Sequence, residues 1–464
     1  MMALSPAEVA QARQKAQEAR ERLDRAIEEG KARLQAKHDA RTAAREAFFA
    51  KREAQAADPS APLDTLASKV SLSDEEAAQK VIPGPWKLKR HHLRRAAGAT
   101  VGGRVSKCGV ATLGGPVDIR KAEGHHHFHG LETCGSVWTC PVCAVRITEG
   151  RRSDIKTVIA GHLATEGKRA YMATFTIPHH TFQRLRELLD VVRGSWKRVK
   201  QGKAWVDQRD AYAWEGDIRA LEVTHGGNGW HPHLHVVGLF GKGVSDDDIR
   251  AFFEWLFSRW TDAVEKTADK MGFSLAGKCS RAAFDFVEIR DEAGVSEYVS
   301  KWGAAEELTK AHTKSAKKGR TPWQILADIA EHDREEDKAL FREYAAAFFR
   351  ARQLTWSKGL RARFIQEPEK TDEELAAEPG LTPEELEEQR VVTIDKRVWK
   401  QVTKRGLTGE LLQAADVEGL PGIIGFFAAY RIQVQVMDRP GRAPIINPPP
   451  WLFEAVEPGE DAQV

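Results

Sequence analysis

The sequence predicts an α+β protein built around an antiparallel sheet. Short segments that alternate apolar and polar residues, rich in β-branched and aromatic side chains, indicate strands. Longer segments between them carry apolar residues at the three- and four-residue spacing of a helix that buries one face. At 464 residues the chain is too long for one ordinary hydrophobic core, so we expect two or three domains.

The first segment, 1–80, is predicted to be a charged helical arm. Ser5 is a suitable helix cap, Pro6 suits the first turn, and Glu8 stands where it completes a capping box. The segment is rich in alanine and in oppositely charged pairs one turn apart, and it has few large apolar residues. This composition favours an arm or a coiled coil over a packed core.

Residues 166–305 are predicted to form the main α+β domain. The predicted strands cover 170–177, 217–225, 230–240 and 282–289, and the predicted helices cover 182–196, 247–264 and 294–303. The resulting order, β-α-β-β-α-β-α, is that of the ferredoxin-like split β-α-β arrangement, an antiparallel sheet with helices on one face. The region that follows, 306–464, is predicted to be mostly helical.

Three histidines stand at alternate positions in the third predicted strand, "WHPHLHVVGLF". Since side chains alternate between the two faces of a sheet, His231, His233 and His235 point to the same face. Imidazoles arranged in this way are typical of a metal or phosphate site. The alternative is a surface strand whose histidines face solvent.

The residues before this strand predict a hairpin that adds a carboxylate to the histidines. Asn228-Gly229 is the strongest short signal for a type I′ turn. A turn at these two residues would place Glu222 opposite His235 and Thr224 opposite His233. Mixed imidazole and carboxylate ligands suit Mg²⁺ or Mn²⁺ at a phosphate site, whereas three histidines could equally hold Zn²⁺.

A tyrosine and a lysine lie three positions apart in the last predicted helix of this domain. Tyr298 and Lys301 therefore share one helical face. Free tyrosine has a pKa of about 10 and needs activation to act as a nucleophile at neutral pH. A metal ion that stabilises charge on the scissile phosphate would supply it, and Lys301 could hold a phosphate oxygen or orient the tyrosine. The alternative for this pair is an ordinary amphipathic helix.

The segment 81–165 contains four of the five cysteines and is predicted to be a zinc-binding module that contacts DNA. A Cys-x-x-Cys pair with two further thiols indicates a structural Zn²⁺ site, and the alternative is a set of reduced, buried thiols. The expected ligands are Cys108, Cys134, Cys140 and Cys143, with His129 as an alternative to Cys108. The arginines expected to contact DNA are Arg90, Arg94, Arg95, Arg151 and Arg152.

Three motifs together resemble those of the HUH endonucleases, and most closely those of plasmid rolling-circle replication initiators. They are "YMATFTIPHH" (171–180), "WHPHLHVV" (230–237) and "YVSK" (298–301), in the order that the family has. The resemblance covers roughly 105–305 and, more loosely, the residues that follow. It implies a metal-dependent site-specific endonuclease that nicks one DNA strand at an origin and rejoins it.

The resemblance also implies roles for individual residues. His233 and His235 would bind the metal, with Glu222 as the preferred third ligand and His231 as the second choice. Tyr298 would attack a DNA phosphate, giving a 5′-phosphotyrosyl link and a free 3′-OH that primes synthesis. Some relatives carry the tyrosine directly after the lysine, where this chain has Trp302.

Composition and missing motifs narrow the function further. We find no secretory signal, and the longest apolar run (422–430) is too short to span a bilayer, so we expect a cytoplasmic protein without a membrane partner. The net charge of +3 is too small to indicate DNA binding by itself. No phosphate-binding loop of a helicase motor is found, so unwinding would need a host helicase, and synthesis a host polymerase.

Other functions remain open at this point. A conjugative relaxase or a transposase would use the same chemistry on DNA. A non-catalytic, zinc-containing DNA-binding regulator belongs to another class. A metallohydrolase acting on small phosphoesters would need neither the basic segments nor the zinc module.

Overall fold

The structure is a computed structural model that describes residues 85–122, 124–290, 319–377, 382–439 and 442–449. These residues belong to one compact unit, Pro83–Val464. The predicted arm (1–80) lies outside the described residues, as do Tyr298 and Lys301.

Thirteen labelled helices connect the strands in the described part of the chain. They are α1 (Pro85–Val101), α2 (Gly103–Lys107), α3 (Pro141–Leu163), α4 (Leu185–Val199), α5 (Lys203–Ala211), α6 (Asp246–Met271), α7 (Pro322–His332), α8 (Glu335–Ala347), α9 (Asp372–Ala376), α10 (Pro383–Glu388), α11 (Lys396–Arg405), α12 (Thr408–Glu418) and α13 (Leu420–Ala429). Most begin at recognisable signals, such as the capping box of Ser245 and Asp248 before α6.

The described strands form two five-stranded sheets. Their bounds are β1 (Val117–Ala122), β2 (His125–His129), β3 (Arg169–Phe175), β4 (Trp214–Gly226), β5 (Gly229–Phe240), β6 (Asp285–Ile289), β7 (Leu354–Trp356), β8 (Arg390–Ile394), β9 (Gln435–Arg439) and β10 (Arg442–Asn447). The histidine sheet has the strand order β6-β3-β5-β4-β7, and the second sheet has the order β2-β1-β8-β10-β9. The predicted α+β class is confirmed, and every described strand pair is antiparallel except β8 with β10, which is parallel.

The histidine sheet contains all four strands predicted for the main domain, and each neighbouring pair is antiparallel. Along the chain, β3 to β6 occur in the predicted strand-helix-strand-strand-helix-strand order, with α5 as an additional helix. β7, which was not predicted, adds a fifth strand beside β4.

Helices cover both faces of the histidine sheet. On one face Phe175 packs with ring centroids 5.3 Å from Trp196 of α4 and 5.2 Å from Trp260 of α6. On the other face Val158 of α3 belongs to a separate buried cluster with Val237 of β5. The expectation of helices on one face only is therefore wrong, because α3 precedes the predicted domain in sequence and packs across its sheet.

The predicted hairpin register is wrong by two residues. In the structure Glu222 pairs with His233, and Thr224 pairs with His231. The turn consists of Gly227 and Asn228 because Asn228 is not among the residues with positive φ, which a type I′ turn at Asn228-Gly229 would require. A shift of two residues changes the cross-strand partners but keeps every side chain on its face.

The second sheet joins two distant parts of the chain, and it was not predicted. Strand β1 pairs with β8, so that Ile119 lies opposite Val392. Helices α11, α12 and α13 supply the other side of its core, in which Trp399 is buried and donates a hydrogen bond from Nε1 to the carbonyl oxygen of Val110 at 2.7 Å. Within the described residues, no helix has the length and apolar character that crossing a membrane requires.

Gly229 provides a direct test of the hairpin geometry. Its φ is +78°, and an added Cβ would lie 2.5 Å from the carbonyl oxygen of Thr181. We expect Gly229→Ala to lower the free energy of unfolding by about 2–4 kcal/mol, because both the backbone conformation and the close approach oppose a side chain. Chemical denaturation measures this change.

The matched control is Gly227→Ala, at the neighbouring turn position. An added Cβ there meets nothing within 4 Å, and its φ lies outside the left-handed region. This control is expected to change the free energy of unfolding by less than about 1 kcal/mol. Equal effects of the two substitutions would contradict the hairpin geometry.

Candidate functional site

Four histidines form a row along one end of the histidine sheet. β5 places His231, His233 and His235 on the face that α3 covers, since their positions alternate with those of the buried residues of the opposite face. Successive ring centroids are 4.5 Å and 6.0 Å apart. His179, just after β3, extends the row, with its Nε2 2.8 Å from Nδ1 of His231. We call these four residues the histidine row.

Glu222 and Thr174 hold the last histidine of the row from two sides. Nε2 of His235 lies 2.8 Å from Oε2 of Glu222, and its Nδ1 lies 3.0 Å from Oγ1 of Thr174. The three residues are on adjacent strands, because Thr174 is the cross-strand partner of His235 and Glu222 is diagonal to it. A hydroxyl on Nδ1 fixes the orientation of an imidazole, so that Nε2 is presented to the carboxylate side.

Burial keeps the middle of the row uncharged. Burial lowers the pKa of His233, although Glu222 opposes this shift. Burial, together with the neighbouring imidazoles of His233 and His179, lowers the pKa of His231 to about 4. Nε2 of His233 is buried, with no hydrogen-bond partner among the described residues. These imidazoles are therefore neutral at pH 7, which is the state that ligates metal ions.

The cysteines form a tighter group than the histidines. In the described part of the chain they are the one set of three or more such side chains whose ligand atoms all lie within 4.8 Å of one another. We call Cys108, Cys134, Cys140 and Cys143 the cysteine group. All four are buried free thiols. The histidine row with Glu222 is more open, and two of its contacts join Glu222 to His235 and His179 to His231.

The spacing of the sulfur atoms fits a tetrahedral metal site. Sγ of Cys143 lies 3.5 Å from that of Cys108 and 3.7 Å from that of Cys134, and Sγ of Cys140 lies 3.5 Å from that of Cys108. A zinc ion with sulfur ligands at about 2.3 Å gives tetrahedron edges of about 3.8 Å, whereas a disulfide bond is about 2.05 Å long. The group could therefore hold a metal such as zinc.

Two helices and a turn assemble the cysteine group. Cys108 ends α2, Cys140 caps α3, and Cys143 lies in the first turn of α3. Hydrogen bonds from the other three thiols lower the pKa of Cys143, led by that of Cys108, so that the group stabilises a thiolate there. His129, the alternative ligand, lies in β2 with Nδ1 3.9 Å from Oδ2 of Asp118, outside this group.

Two of the arginines expected to contact DNA support the cysteine group instead. Arg94 is only 5% exposed and donates a hydrogen bond from Nη1 to the carbonyl oxygen of Cys108 at 3.0 Å. Burial lowers the pKa of Arg90 to about 10, while the Cys140 and Cys143 thiols favour its charge. The Arg94 guanidinium is thus buried against the cysteine group, and the DNA contact expected of it stays a prediction.

The other arginines lie nearer the surface. Arg151 makes ion pairs with Asp372 at 2.7 Å and Glu369 at 3.3 Å. Arg152 lies 3.8 Å from Glu149 on the same helix. Arg151 and Arg152 also line a small cavity with Ala220, the residue that precedes Glu222 on the same face of β4. Arg95 is exposed on α1.

His179 and Thr174 were not predicted to belong to the site. Both lie in "TFTIPHH", which marks β3 and the residues after it. Alternation along β3 puts Thr174 on the same face of the sheet as the histidines. This alternation could have identified Thr174, once β3 was known to pair with β5. His179 follows Pro178 outside the strand, so no periodicity predicts its contact with His231.

Comparisons with known proteins agree with the resemblance seen in the motifs. Residues 125–255 match the model of a family described as replication protein. The chain is 28% identical over 369 residues to a Streptomyces lividans protein named Protein rep, covering 65% of this chain and 79% of that protein. The resemblance to plasmid Rep proteins is confirmed. The matches support a plasmid replication initiator.

A second relative is similar over a shorter region. The chain is 32% identical over 152 residues to a Streptomyces cyanogenus protein named Neomycin resistance protein, covering 27% of this chain and 35% of that protein. No solved structure matches the chain. The family match includes Cys134, Cys140, Cys143 and the histidines of β5, but it ends before Tyr298.

The cysteine group predicts a metal-dependent stability. We expect Cys143→Ser to abolish bound zinc and to lower the free energy of unfolding by at least about 3 kcal/mol, because metal binding and folding are coupled. Atomic emission measures the zinc, and thermal unfolding with and without a chelator measures the stability. Cys279→Ser is the control, because Cys279 lies outside the group. Equal zinc content in both variants would contradict the site.

Proposed function

We propose that this protein is a rolling-circle replication initiator that nicks one strand at a plasmid origin through tyrosine attack, and later rejoins it. The observation that carries the proposal is the contact of Glu222 with His235, with His233 beside them, on one face of the sheet. A relaxase or a transposase would use the same site. The match to a replication protein family favours the initiator.

The residues present fit a hard divalent ion such as Mg²⁺ or Mn²⁺. Glu222 offers a carboxylate, and His233 and His235 offer neutral imidazoles. The buried Nε2 of His233 has no hydrogen-bond partner among the described residues, as expected of a nitrogen that takes a ligand. Such an ion, when bound, stabilises the negative charge that develops on the phosphoryl oxygens. His231, which contacts His179, is the alternative to Glu222 as the third ligand.

The strand order of the histidine sheet supports the ferredoxin-like fold predicted for the proposed nuclease domain. Numbering β3, β4, β5 and β6 as 1 to 4, the histidine sheet reads 4-1-3-2, with β7 added at the edge. A split β-α-β unit gives this order, because the third strand inserts between the first and the second. We propose on this basis that 166–305 is a domain of the HUH type.

The length of chain between the described residues and Tyr298 supports its place in the proposed site. β6 ends at Ile289, opposite Ala170, and Arg320 pairs with His225 near the hairpin turn. The chain between them must therefore connect the two ends of the histidine sheet. Tyr298 is nine positions after Ile289, a separation that a helix spans in about 13 Å and an extended chain in about 30 Å. Ala170 lies opposite the end of β6, and Thr174 lies opposite His235. The distance along β3 between these two residues is also about 13 Å.

The proposed reaction exchanges one phosphoester bond for another. The phenol of Tyr298 loses its proton, and its oxygen attacks the phosphorus as the bond to O3′ breaks. The products are a 5′-phosphotyrosyl link and a 3′-OH, which takes up the proton and primes synthesis. Rejoining is the reverse attack by a 3′-OH. Lys301 would hold a phosphate oxygen or orient the tyrosine.

We further propose that the cysteine group holds a structural Zn²⁺ and that the module around it contacts DNA beside the nick. The partners are then single-stranded or supercoiled origin DNA, with a host helicase and polymerase for unwinding and synthesis. The alternative of another class is a zinc-containing regulator that binds DNA without cutting it. Covalent capture of DNA distinguishes the two.

Tyr298→Phe tests the nucleophile. With an origin oligonucleotide labelled at its 3′ end and Mn²⁺, the unaltered protein should acquire the label as a covalent adduct. The variant should form none, because phenylalanine has no oxygen to attack with, while its affinity for DNA changes less than about threefold. Denaturing gels measure the adduct.

Tyr344→Phe is the control, because Tyr344 lies in α8 and its side chain is buried. An adduct that survives Tyr298→Phe would move the nucleophile to another residue. DNA binding without any adduct, in Mg²⁺ or Mn²⁺, would favour the regulator.

Thr174→Val tests the metal site through a residue that positions a ligand. Loss of the hydroxyl on Nδ1 of His235 should raise the Mn²⁺ concentration for half-maximal nicking about 10-fold, with a smaller change in the rate at saturating metal. Thr157→Val, on the exposed side of α3, is the control. An unchanged metal dependence would remove Thr174 and His235 from the proposed site.

A further inference from the structure

We propose that helix α11 carries a second DNA-binding surface, which grips duplex DNA through its phosphates. The inference rests on the proposed function only in taking DNA as the partner. The surface belongs to the second sheet, whereas the proposed nick site belongs to the histidine sheet.

Four basic residues of α11 form a stripe along one side of the helix. Lys396, Arg397, Lys400 and Lys404 are all exposed. At about 100° per residue they fall within an arc of about 100°. α11 contains no acidic residue, although Arg397 also contacts Asp395, which caps the helix. We call these four residues the basic stripe.

The lysines of the basic stripe are available to an external anion. In the described part of the chain, no carboxylate lies within ion-pair distance of Lys396, Lys400 or Lys404. Arg151 of α3, in contrast, makes an ion pair with Asp372 at 2.7 Å. Three neighbouring lysines without a partner repel one another, so that an added polyanion gains energy by approaching them.

The opposite side of α11 excludes a membrane as the partner. A basic amphipathic helix binds a lipid surface through its apolar face. Here Val398, Trp399 and Val402 are at most 2% exposed, in the core of the second sheet. Only cations face outward, which leaves a polyanion as the complementary surface.

The geometry of the stripe favours duplex over single-stranded DNA. Lys396, Lys400 and Lys404 lie about 6 Å apart along a rigid axis, which matches a backbone of fixed shape. Surfaces for single-stranded DNA also offer exposed aromatic rings on which bases stack. The one aromatic residue of α11, Trp399, is buried.

Arg95 continues the surface beyond the end of the helix. Its guanidinium lies directly against Gly406, the residue that ends α11 with a φ of +74°. Arg405 is also exposed, but its Nη1 donates a hydrogen bond to the carbonyl oxygen of Tyr430 at 2.7 Å. We place the DNA contact expected of Arg95 here, beside the end of α11.

The test removes three charges from the stripe in the full-length protein. Binding to a 30-base-pair duplex of arbitrary sequence is measured against salt concentration for the unaltered protein and for Lys396→Ala/Lys400→Ala/Lys404→Ala. Each lost phosphate contact should lessen the slope of log K against log salt by about 0.9, or about 2.7 in total. Nicking of a single-stranded origin oligonucleotide should stay within about twofold.

The control removes the same charge elsewhere. Lys242→Ala/Lys266→Ala/Lys270→Ala alters three exposed lysines of α6 and the loop before it. It should leave the slope within about 0.5 of the unaltered value. Thermal unfolding checks that both triple variants are folded.

Each result bears on the proposal. A lessened slope in the α11 variant alone supports it, even if the protein cuts no DNA, in which case the proposed nicking function fails by itself. An unchanged slope, or an equal change in the control, overturns it. Lost affinity for single-stranded DNA with unchanged duplex affinity overturns it as well, because the stripe would then serve the nicked strand.

Discussion

The pairing of β5 with a neighbour on each side is the constraint on which the candidate site depends. β3 and β4 hold β5 along its length, so its register relative to both is fixed. Since successive side chains alternate between faces, Thr174, Glu222 and the histidines must then lie together. No loop has to position them, and a site built on paired strands is held more precisely than one on a loop.

The cysteine group plays a comparable part on the covered face of this sheet. It ties the end of α2 to the start of α3, and α3 then packs across the histidine sheet. The covering helix therefore begins at a cluster that holds its first turn. The cysteine group, which could hold a metal such as zinc, and the shape of the histidine face are in this way parts of one structure.

Local pattern predicted the histidine sheet well, because alternation, turn residues and helix spacing are all written within short windows. The error at Asn228 concerned which residues form the turn, and it left Glu222 on the correct face because it amounted to two positions. The second sheet was missed because β1 and β8 are short and far apart in sequence. The contact of His179 with His231 crosses strands, which spacing along the chain does not encode.

The distance in sequence between β1 and β8 has a consequence for the synthesis of the chain. β1 and β2 carry an apolar face, with Val117, Ile119 and Phe128, whose buried cluster is completed by strands and helices from residue 391 onward. At about 5–20 residues per second, the ribosome needs on the order of 15–50 s to produce the missing half. During that time an unfinished sheet edge is exposed on the nascent protein, and its completion depends on the translation of β8 to β10.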